Sequence, residues 1–325
     1  MDSVAAERRI RPHVLETPLE HSRRLSEIAR ATVYLKLENR QETGAFKLRG
    51  AANKLLKLPR EQLERGVVTA SAGNHALAVA TIGKKLGLHA SVFVSEHIHP
   101  QRRMRIESLG AHVQAVNGDS LLAELEARRE GDRSNRTYVS PYNDPDVVEG
   151  QGTVAVEIQR QLAQAGKLKL DAVFVAVGGG GLIGGIGSYF KSMTPGTEVV
   201  GCWPENSPVL HECIRAGRIY AVPEKPTISV STAGGVEPGA ITLGICQKVI
   251  DRSVLVTEDE ILDAARRLYH QDKQLVEGAA AVAAAAFLQA AGDYAGKTVA
   301  IVLCGGNADP ELEATIKAER RTKQR

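Results

Sequence analysis

The chain has 325 residues, of which 43% are hydrophobic and 24% are charged, and these fractions exclude global disorder. Its 41 basic and 38 acidic residues give a formal net charge of +3, which is too balanced to predict nucleic-acid binding. Four cysteines without a Cys-x-x-Cys pair are too few for a disulfide scaffold, so the sequence predicts a reducing, cytoplasmic setting. No apolar run approaches the roughly 20 residues that a membrane span needs.

Short apolar segments alternate with amphipathic helical segments along most of the chain. Several of the predicted strands are apolar on both faces, as the strands of a covered parallel sheet are. This alternation predicts an α/β fold with parallel sheets. In chain order, strands are predicted at 66–71, 90–95, 112–116, 172–177, 198–202 and 298–303, and helices at 74–86, 100–109 and 153–165.

Three further segments have a distinctive composition. Residues 128–142 are polar and rich in turn-forming residues, which predicts a crossing between two lobes. The alanine-rich run that starts at Gly278 is too short to span a membrane and predicts a buried core helix. The basic residues 317–325 predict a solvated C-terminal tail.

The strongest local signal is a run of four glycines, Gly178 to Gly181, between a predicted strand and a helix. Glycines let the backbone approach a ligand closely, and the N–H groups at a helix N-terminus bind phosphate. Four glycines exceed what a turn needs, so the run predicts a phosphate site. The spacing Gly179-x-Gly181-x-x-Gly184, with Glu205 further along, also matches the dinucleotide fingerprint, so a nicotinamide-dependent dehydrogenase is an alternative.

Two other loops follow predicted strands. The first, "SAGNH" at 71–75, opens a helix, and its N–H groups with the Ser71 and Asn74 side chains suit a carboxylate, although both residue types are also ordinary helix N-caps. The second, "LCGGN" at 303–307, follows a buried strand. Because ligands of open α/β sheets bind beyond the carboxyl ends of strands, the three loops predict one shared crevice.

A lysine, Lys47, lies in the stretch "TGAFKLRGA" at 43–51, after an extended run at 33–38. A lysine in water titrates near about 10.4 and is a poor nucleophile at neutral pH, whereas burial lowers its pKa and makes it reactive. Spacing alone does not separate these two cases. Together with a phosphate site and a carboxylate site, however, this lysine suits a cofactor enzyme that acts on amino acids.

Seven sequence blocks between residues 16 and 309 resemble the fold-type II pyridoxal-phosphate enzymes, in particular their threonine/serine dehydratase and serine racemase branch. The resemblance implies pyridoxal 5'-phosphate as cofactor, a homodimer, and a two-lobed parallel-sheet fold like that of tryptophan synthase β. Residues 1–65 and 144–325 would form the larger lobe, and residues 66–143 a smaller lobe that closes over the substrate. The blocks are "ETPLEHSRRLS", "VYLKLENRQETGAFKLRGA", "SAGNHALAVA", "VGGGGLIGGIG", "TAGGVEPG", "VEGAAAVAAAA" and "LCGGNAD".

The resemblance also implies a role for each matching residue. Lys47 would hold the cofactor covalently and remove the Cα proton of a β-hydroxy amino acid. The hydroxyl group would leave with a proton from the cofactor phosphate, and a 2-oxo acid and ammonia would result. The cofactor would contact Phe46, Lys47, Asn74, Gly178, Gly179, Gly180, Gly181, Leu182, Glu277 and Cys304, and the substrate carboxylate would contact Ser71, Ala72, Gly73 and His75.

The chain departs from this branch at several positions. Ala72 stands where serine racemases have a serine acid/base, which disfavours racemisation. Trp203 and Val209 stand at the positions of racemase metal ligands, so no metal is predicted there. Gly234 replaces an aspartate of racemases and of many threonine dehydratases, which hints at a different substrate. The short segment after "LCGGNAD" predicts that an isoleucine-sensing regulatory domain is absent.

The sequence thus predicts a threonine/serine ammonia-lyase with a small amino-acid substrate. Other activities stay open beside the dehydrogenase. These are a dehydratase for a bulkier β-hydroxy amino acid of the hydroxyectoine-pathway or phenylserine type, a β-replacement enzyme of the cysteine-synthase type, and a catalytically silent cofactor-binding protein.

Overall fold

The computed structural model describes residues 1–118, 120–167 and 169–318 and consists of two mainly parallel β-sheets covered by helices. The strands are β1 (Leu19–His21), β2 (Thr32–Lys36), β3 (Val67–Ala70), β4 (Ala90–Ser95), β5 (His112–Val116), β6 (Thr137–Tyr138), β7 (Ala172–Ala176), β8 (Glu198–Pro204), β9 (Arg252–Val256) and β10 (Thr298–Val302). The helices are α1 (Ser3–Ile10), α2 (Arg23–Ala29), α3 (Lys47–Lys57), α4 (Arg60–Glu64), α5 (Asn74–Leu86), α6 (Pro100–Glu107), α7 (Ser120–Ser134), α8 (Pro145–Gln151), α9 (Thr153–Gln164), α10 (Gly181–Met193), α11 (Val209–Ala216), α12 (Thr242–Val249), α13 (Glu258–Asp272), α14 (Gly278–Ala290) and α15 (Pro310–Lys317).

The larger sheet has the strand order β1-β2-β10-β7-β8-β9. Only β1 runs antiparallel to its neighbour, and the other pairings are parallel. Every residue of β7 is buried, as expected for a central strand with helices on both faces. The α/β fold with parallel sheets is therefore confirmed, and the predicted strands of this sheet lie within two residues of their observed bounds.

The smaller sheet has the strand order β5-β4-β3-β6, and all of its pairings are parallel. Its strands β3, β4 and β5 were predicted from the sequence, whereas β6 was not. In the segment at 128–142, residues 128–134 complete the helix α7, and the predicted crossing between two lobes stays a prediction. Residues 128–134 include no apolar side chain, so their sequence alone resembles a polar loop. The apolar residues of this helix lie in its earlier turns.

The main hydrophobic core surrounds the larger sheet and includes the alanine-rich helix α14. All residues of α14 from Gly278 to Phe287 are buried, which confirms the predicted core helix. Phe287 packs edge-on against Phe174 of β7, with ring centroids 5.4 Å apart. Small alanine side chains let the helix lie close to the sheet, and one aromatic ring fills the remaining space.

A second core lies beneath the smaller sheet, but its members come from a wider part of the chain than residues 66–143. It includes Ile10 of α1, Leu48 and Ala51 of α3, and Val147 of α8. The helix α3, which begins with Lys47, therefore comes after strand β2 of the larger sheet in the chain but packs in the core of the smaller sheet. The division into lobes at residues 65 and 143 stays a prediction.

Among the described residues, no helix combines the length and the apolar composition that crossing a membrane would require. The predicted basic tail at 317–325 lies outside the described residues from position 319 onward.

Candidate active site

The loops that follow β3, β7 and β10 meet around one cavity of about 280 Å³. The predicted crevice at the carboxyl ends of the strands is therefore present. The cavity is lined by every residue that the sequence singled out for the cofactor and the substrate: Phe46, Lys47, Ser71, Ala72, Gly73, Asn74, His75, Gly178, Gly179, Gly180, Gly181, Leu182, Glu277 and Cys304.

Lys47 is the first residue of α3, and its position is set by pairing between two loops. Ala45 forms a β-bridge with Gly305, and the Phe46 N–H donates to the Cys304 carbonyl at 3.1 Å. Gly44 has φ +77°, and a Cβ there would lie 2.7 Å from Asn307 Oδ1, so the sharp turn before the lysine requires glycine. This pairing holds the lysine loop beside the loop that follows β10.

The amine of Lys47 lies inside the cavity. Its Nζ donates a hydrogen bond to the Pro141 carbonyl at 2.7 Å and lies 5.1 Å from the centre of the Phe46 ring. Burial lowers the pKa of Lys47 to about 8, although the nearby Glu124, Cys304 and Glu277 favour the charged form. Roughly a tenth of the amine is thus uncharged at pH 7, and the uncharged form is the one that acts as a base or a nucleophile.

The glycine run forms a backbone cradle at the start of α10. The first hydrogen bond of this helix runs from the Gly184 N–H to the Gly180 carbonyl at 2.8 Å, so the preceding N–H groups have no partner in the helix. Gly180 has φ +86°, and a Cβ on Gly179 would lie 2.5 Å from the Tyr142 ring. Larger residues would not fit, and the glycines at this helix N-terminus line the cavity, which is the arrangement that anion sites use.

The loop at 71–75 forms a second helix N-terminus, that of α5, at the cavity. The Ser71 hydroxyl accepts from the Gly73 N–H at 3.1 Å, and no side chain caps the helix. His75 is buried, and its Nε2 lies 3.0 Å from the Val139 carbonyl. Burial lowers the pKa of His75 to about 3, assisted by the charge of Lys47, so its ring is neutral. An anion here would bind to N–H groups rather than to a positive charge.

A chain of amide hydrogen bonds links three loops. Asn307 donates to Asn74 Oδ1 at 2.7 Å, and Asn74 Nδ2 donates to both carboxylate oxygens of Glu277 at 3.0 Å. Glu277 is buried, and burial raises its pKa. Cys304 is also buried, and burial raises the pKa of its thiol, which is therefore neutral. The cavity thus offers a thiol, a carboxyl group and an oriented amide beside Lys47.

The comparison with known proteins decides the family. Residues 10–305 match the family described as "Pyridoxal-phosphate dependent enzyme". The chain belongs to this family. The resemblance inferred from the sequence blocks is therefore confirmed, together with the cofactor class and the fold class, and membership removes the dehydrogenase alternative.

Named relatives of this pyridoxal-phosphate family cover most of the chain. An L-threonine ammonia-lyase from Thermotoga maritima is 40% identical over 312 residues, which are 96% of this chain and 76% of that protein. The structure of processed threonine deaminase isoform 2 from Solanum lycopersicum superposes with a TM-score of 0.90 at 30% identity, over 97% of this chain and 91% of that one. A serine racemase from Dictyostelium discoideum gives a TM-score of 0.85 at 32% identity, over 95% and 98%.

The cavity fits the cofactor of the family in the chemistry of its polar groups. The glycine cradle suits a phosphate group, because glycines at a helix N-terminus leave the backbone N–H groups free of side chains. A neutral thiol suits an unprotonated ring nitrogen, since no charge is placed beside it. Lys47 lines the same cavity as both of these groups.

Three residues that sequence reasoning missed also contribute to the site of this pyridoxal-phosphate enzyme. Tyr142 packs on the glycine cradle, Glu124 of α7 lines the cavity near Lys47, and Asn307 orients Asn74. Tyr142 and Glu124 carry no local signal, because a glutamate in an ordinary helix and a tyrosine in a polar segment predict a solvated surface. Asn307 lies in the "LCGGN" loop, which the sequence did single out.

The described residues hold no group of three or more His, Cys, Asp and Glu side chains that could bind a metal ion. Trp203 is fully buried and packs against His211, with ring centroids 5.2 Å apart. Val209 is also buried. Apolar side chains thus fill the positions at which a racemase-type metal was considered, and its absence there stays a prediction.

Proposed function

We propose that the protein is a pyridoxal-phosphate-dependent ammonia-lyase that converts L-threonine or L-serine to a 2-oxo acid and ammonia. The observation that carries the proposal is that Lys47, an amine with a lowered pKa, lines one cavity together with a glycine cradle and a second helix N-terminus. The named threonine ammonia-lyase and threonine deaminase relatives support the choice of reaction.

The cofactor would bind through the residues that the sequence predicted. Lys47 would hold it covalently, the N–H groups of Gly178–Leu182 would bind its phosphate, and Cys304 would face its ring nitrogen. Phe46 and Glu277 would pack near the ring, and Asn74 would donate to its phenolic oxygen. When bound, pyridoxal phosphate withdraws electrons from the substrate Cα and makes the Cα–H bond acidic.

The substrate carboxylate would bind at the N-terminus of α5, against Ser71, Ala72, Gly73 and His75. Because His75 is neutral, the N–H groups and the Ser71 hydroxyl would supply the hydrogen bonds. The amine of Lys47 would then remove the Cα proton. Loss of the β-hydroxyl group yields an enamine, and its hydrolysis in water gives the 2-oxo acid and ammonia.

Elimination is favoured over racemisation because of Ala72. Racemisation needs a proton-carrying group on each face of Cα, and a methyl side chain carries none. Elimination needs only one base at Cα, which Lys47 supplies.

The state of the protein in the cell is part of the proposal. We infer a cytoplasmic homodimer from the resemblance to the threonine dehydratase branch. All four cysteines are unpaired and buried, which fits a reducing compartment. Light scattering of the purified protein would measure the mass of the assembly against the 34.8 kDa of one chain.

The test is release of 2-oxo acid from purified protein with added pyridoxal phosphate. L-Threonine, L-serine, D-serine and L-threo-3-phenylserine are compared, with Lys47→Ala as the inactive variant. Lys84→Ala, which changes an exposed lysine of α5, is the matched control. Turnover of L-threonine or L-serine that only Lys47→Ala abolishes supports the proposal. Bound cofactor without turnover of either substrate contradicts it and favours the bulkier substrates or a β-replacement reaction.

A further inference from the structure

One acidic side chain of the cavity has no role in the steps above. Glu124, on the second turn of α7, lines the cavity together with Lys47. Two adjacent residues connect them: Pro141 accepts the hydrogen bond of Lys47 Nζ at 2.7 Å, and the Tyr142 hydroxyl lies 3.5 Å from Glu124 Oε2. The amine and the carboxyl group therefore face one space from different parts of the chain.

The surroundings of Glu124 favour its protonated form. Burial raises its pKa to about 7, and the charge of Glu237 adds to this effect, while Lys47, Tyr142 and Arg128 oppose it. Arg128 forms an ion pair with the buried Glu237 at 2.7 Å, so its charge mainly balances that carboxylate.

Two phenols complete the set of titratable groups around Glu124. Burial raises the pKa of both Tyr138 and Tyr142, so both rings keep their protons at neutral pH. The Tyr142 oxygen accepts from the Glu237 N–H at 2.9 Å, so its own hydrogen is available to Glu124 Oε2. Glu124 Oε1 is then the oxygen that can carry a proton.

The proposed reaction needs a proton donor in addition to the base. Hydroxide is a poor leaving group, and transfer of a proton to the departing oxygen lowers the barrier by the amounts that general acids supply. Lys47 cannot give this proton in the same step, because its amine accepts the proton of Cα.

The resemblance implied that the cofactor phosphate gives this proton, and a carboxyl group that lines the cavity is a second candidate. The other titratable side chains of the cavity suit the task less well. The His75 ring is neutral, and its Nε2 is engaged by the Val139 carbonyl. Both oxygens of Glu277 accept from Asn74, which places that carboxyl group in the amide chain.

We propose that Glu124 is a catalytic residue that donates the proton with which the β-hydroxyl group leaves as water. The inference rests on the proposed ammonia-lyase function. The Cβ–O bond breaks with both electrons going to oxygen, and the electron pair of the Cα–H bond forms the new Cα=Cβ bond. Lys47 then holds one proton and Glu124 has lost one, and transfer between them restores both. Hydrolysis of the enamine consumes one water and releases ammonia.

The test compares a leaving group that needs a proton with one that does not. The holoenzyme and Glu124→Gln are assayed with L-serine and with β-chloro-L-alanine, from which chloride leaves unprotonated. We expect Glu124→Gln to lower kcat for L-serine by about 100-fold or more and kcat for β-chloro-L-alanine by less than about 5-fold. Glu126→Gln, on the same helix but in an ion pair with Arg129 outside the cavity, should change neither.

Two other outcomes would overturn the inference. Equal losses with both substrates in Glu124→Gln would make Glu124 a structural residue and leave the proton to another group, such as the cofactor phosphate. A loss confined to L-serine in Glu277→Gln, with Glu124→Gln unaffected, would assign the acid to Glu277. Failure of the proposed function itself is distinct, because the unmodified enzyme would then turn over neither L-threonine nor L-serine.

A measurement without turnover tests the protonation directly. Infrared difference spectra across neutral pH, with and without cofactor, should show the C=O band of a protonated carboxyl group. The part of this band that Glu124 contributes should be lost in Glu124→Gln and retained in Glu126→Gln. A spectrum that is the same in wild type and Glu124→Gln would show that Glu124 carries no proton in this range and would refute the proposal.

Discussion

The guanidinium group of Arg49 forms a two-point ion pair with Glu38, with N–O distances of 2.7 and 2.8 Å, although both side chains are fully buried. The same guanidinium also contacts Glu157, which in turn binds Lys36 at 2.6 Å. Burial alone would raise the pKa of Glu157, but the charges and hydrogen bonds of Arg49 and Lys36 outweigh it and lower this pKa. Arg49 lies two residues after Lys47, so the network fixes the helix that carries the amine.

Replacing Arg49 by methionine should strongly destabilise the protein. The change leaves Glu38 and Glu157 buried with too little positive charge, which costs about 3–5 kcal/mol of the free energy of unfolding. Urea denaturation would measure this loss. The control is Arg23→Met, whose pair with Glu27 is exposed and should contribute less than about 1 kcal/mol. A loss in Arg49→Met as small as in the control would contradict the assigned role.

The lowered pKa of Lys47 predicts a pH-dependent stability in the cofactor-free protein. Between about pH 8 and 10.5 the unfolded chain holds this proton and the folded protein does not, so the free energy of unfolding rises with pH. The rise in the free energy of unfolding due to Lys47 is about 3 kcal/mol. Below this window both states hold the proton, so the buried charge lowers the free energy of unfolding by the same amount at every pH. Lys47→Met should lack the rise and be more stable than wild type at pH 7.

Urea titrations of wild type and Lys47→Met at intervals through this pH range provide the measurement. Lys84→Met, which alters an exposed lysine, should follow wild type. Parallel curves for wild type and Lys47→Met would mean that the amine is not desolvated in the folded state.

Gly180→Ala should weaken cofactor binding. An alanine Cβ there would lie 2.7 Å from Leu210 and 2.9 Å from Cys246 Sγ, and φ +86° is strained for any residue with a side chain. Relief of this strain would move the N–H groups of the cradle, and a misplacement that costs about 1.4 kcal/mol lowers affinity tenfold. Titration of the cofactor-free protein with pyridoxal phosphate, followed by absorbance, would measure the affinity.

Gly244→Ala provides the matched control for the glycine cradle. Gly244 lies in α12, and a Cβ there would meet nothing within 4 Å. Alanine is favourable in a helix, so cofactor affinity should be unchanged and stability equal or higher. Equal affinities for Gly180→Ala and wild type would argue against a phosphate site at this loop.

Asn307→Ala should loosen the amide chain that orients Asn74. Asn307 donates to both the Thr43 carbonyl and Asn74 Oδ1, so its loss frees Asn74 to turn away from the cavity. We expect a shifted absorbance spectrum of the bound cofactor and an affinity lower by roughly tenfold, the effect of losing one or two hydrogen bonds. Asn206→Ala removes the hydrogen bond that the Asn206 side chain donates to the Pro226 carbonyl outside the cavity, and it should leave the spectrum unchanged. An unchanged spectrum in Asn307→Ala would place Asn74 away from the cofactor.

The sequence by itself determined the fold class, six of the ten strands that the structure describes, a few of the helices, and the loops that form the cavity. These features follow from local rules: apolar runs predict buried strands, and glycines before a helix predict an N–H cradle. The resemblance of whole blocks added the cofactor class, because each block alone was ambiguous.

Only the tertiary structure added Glu124 and Tyr142 to the side chains that share the cavity with Lys47. Glu124 and Tyr142 are ordinary residues of a helix and a polar segment until folding places them against the glycine cradle. The second core likewise joins Ile10 and Val147 to the smaller sheet, across the boundaries that the sequence predicted. The physical reason is that periodicity and propensity act over a few residues, whereas the burial and the charges that set a pKa come from residues far apart in the chain.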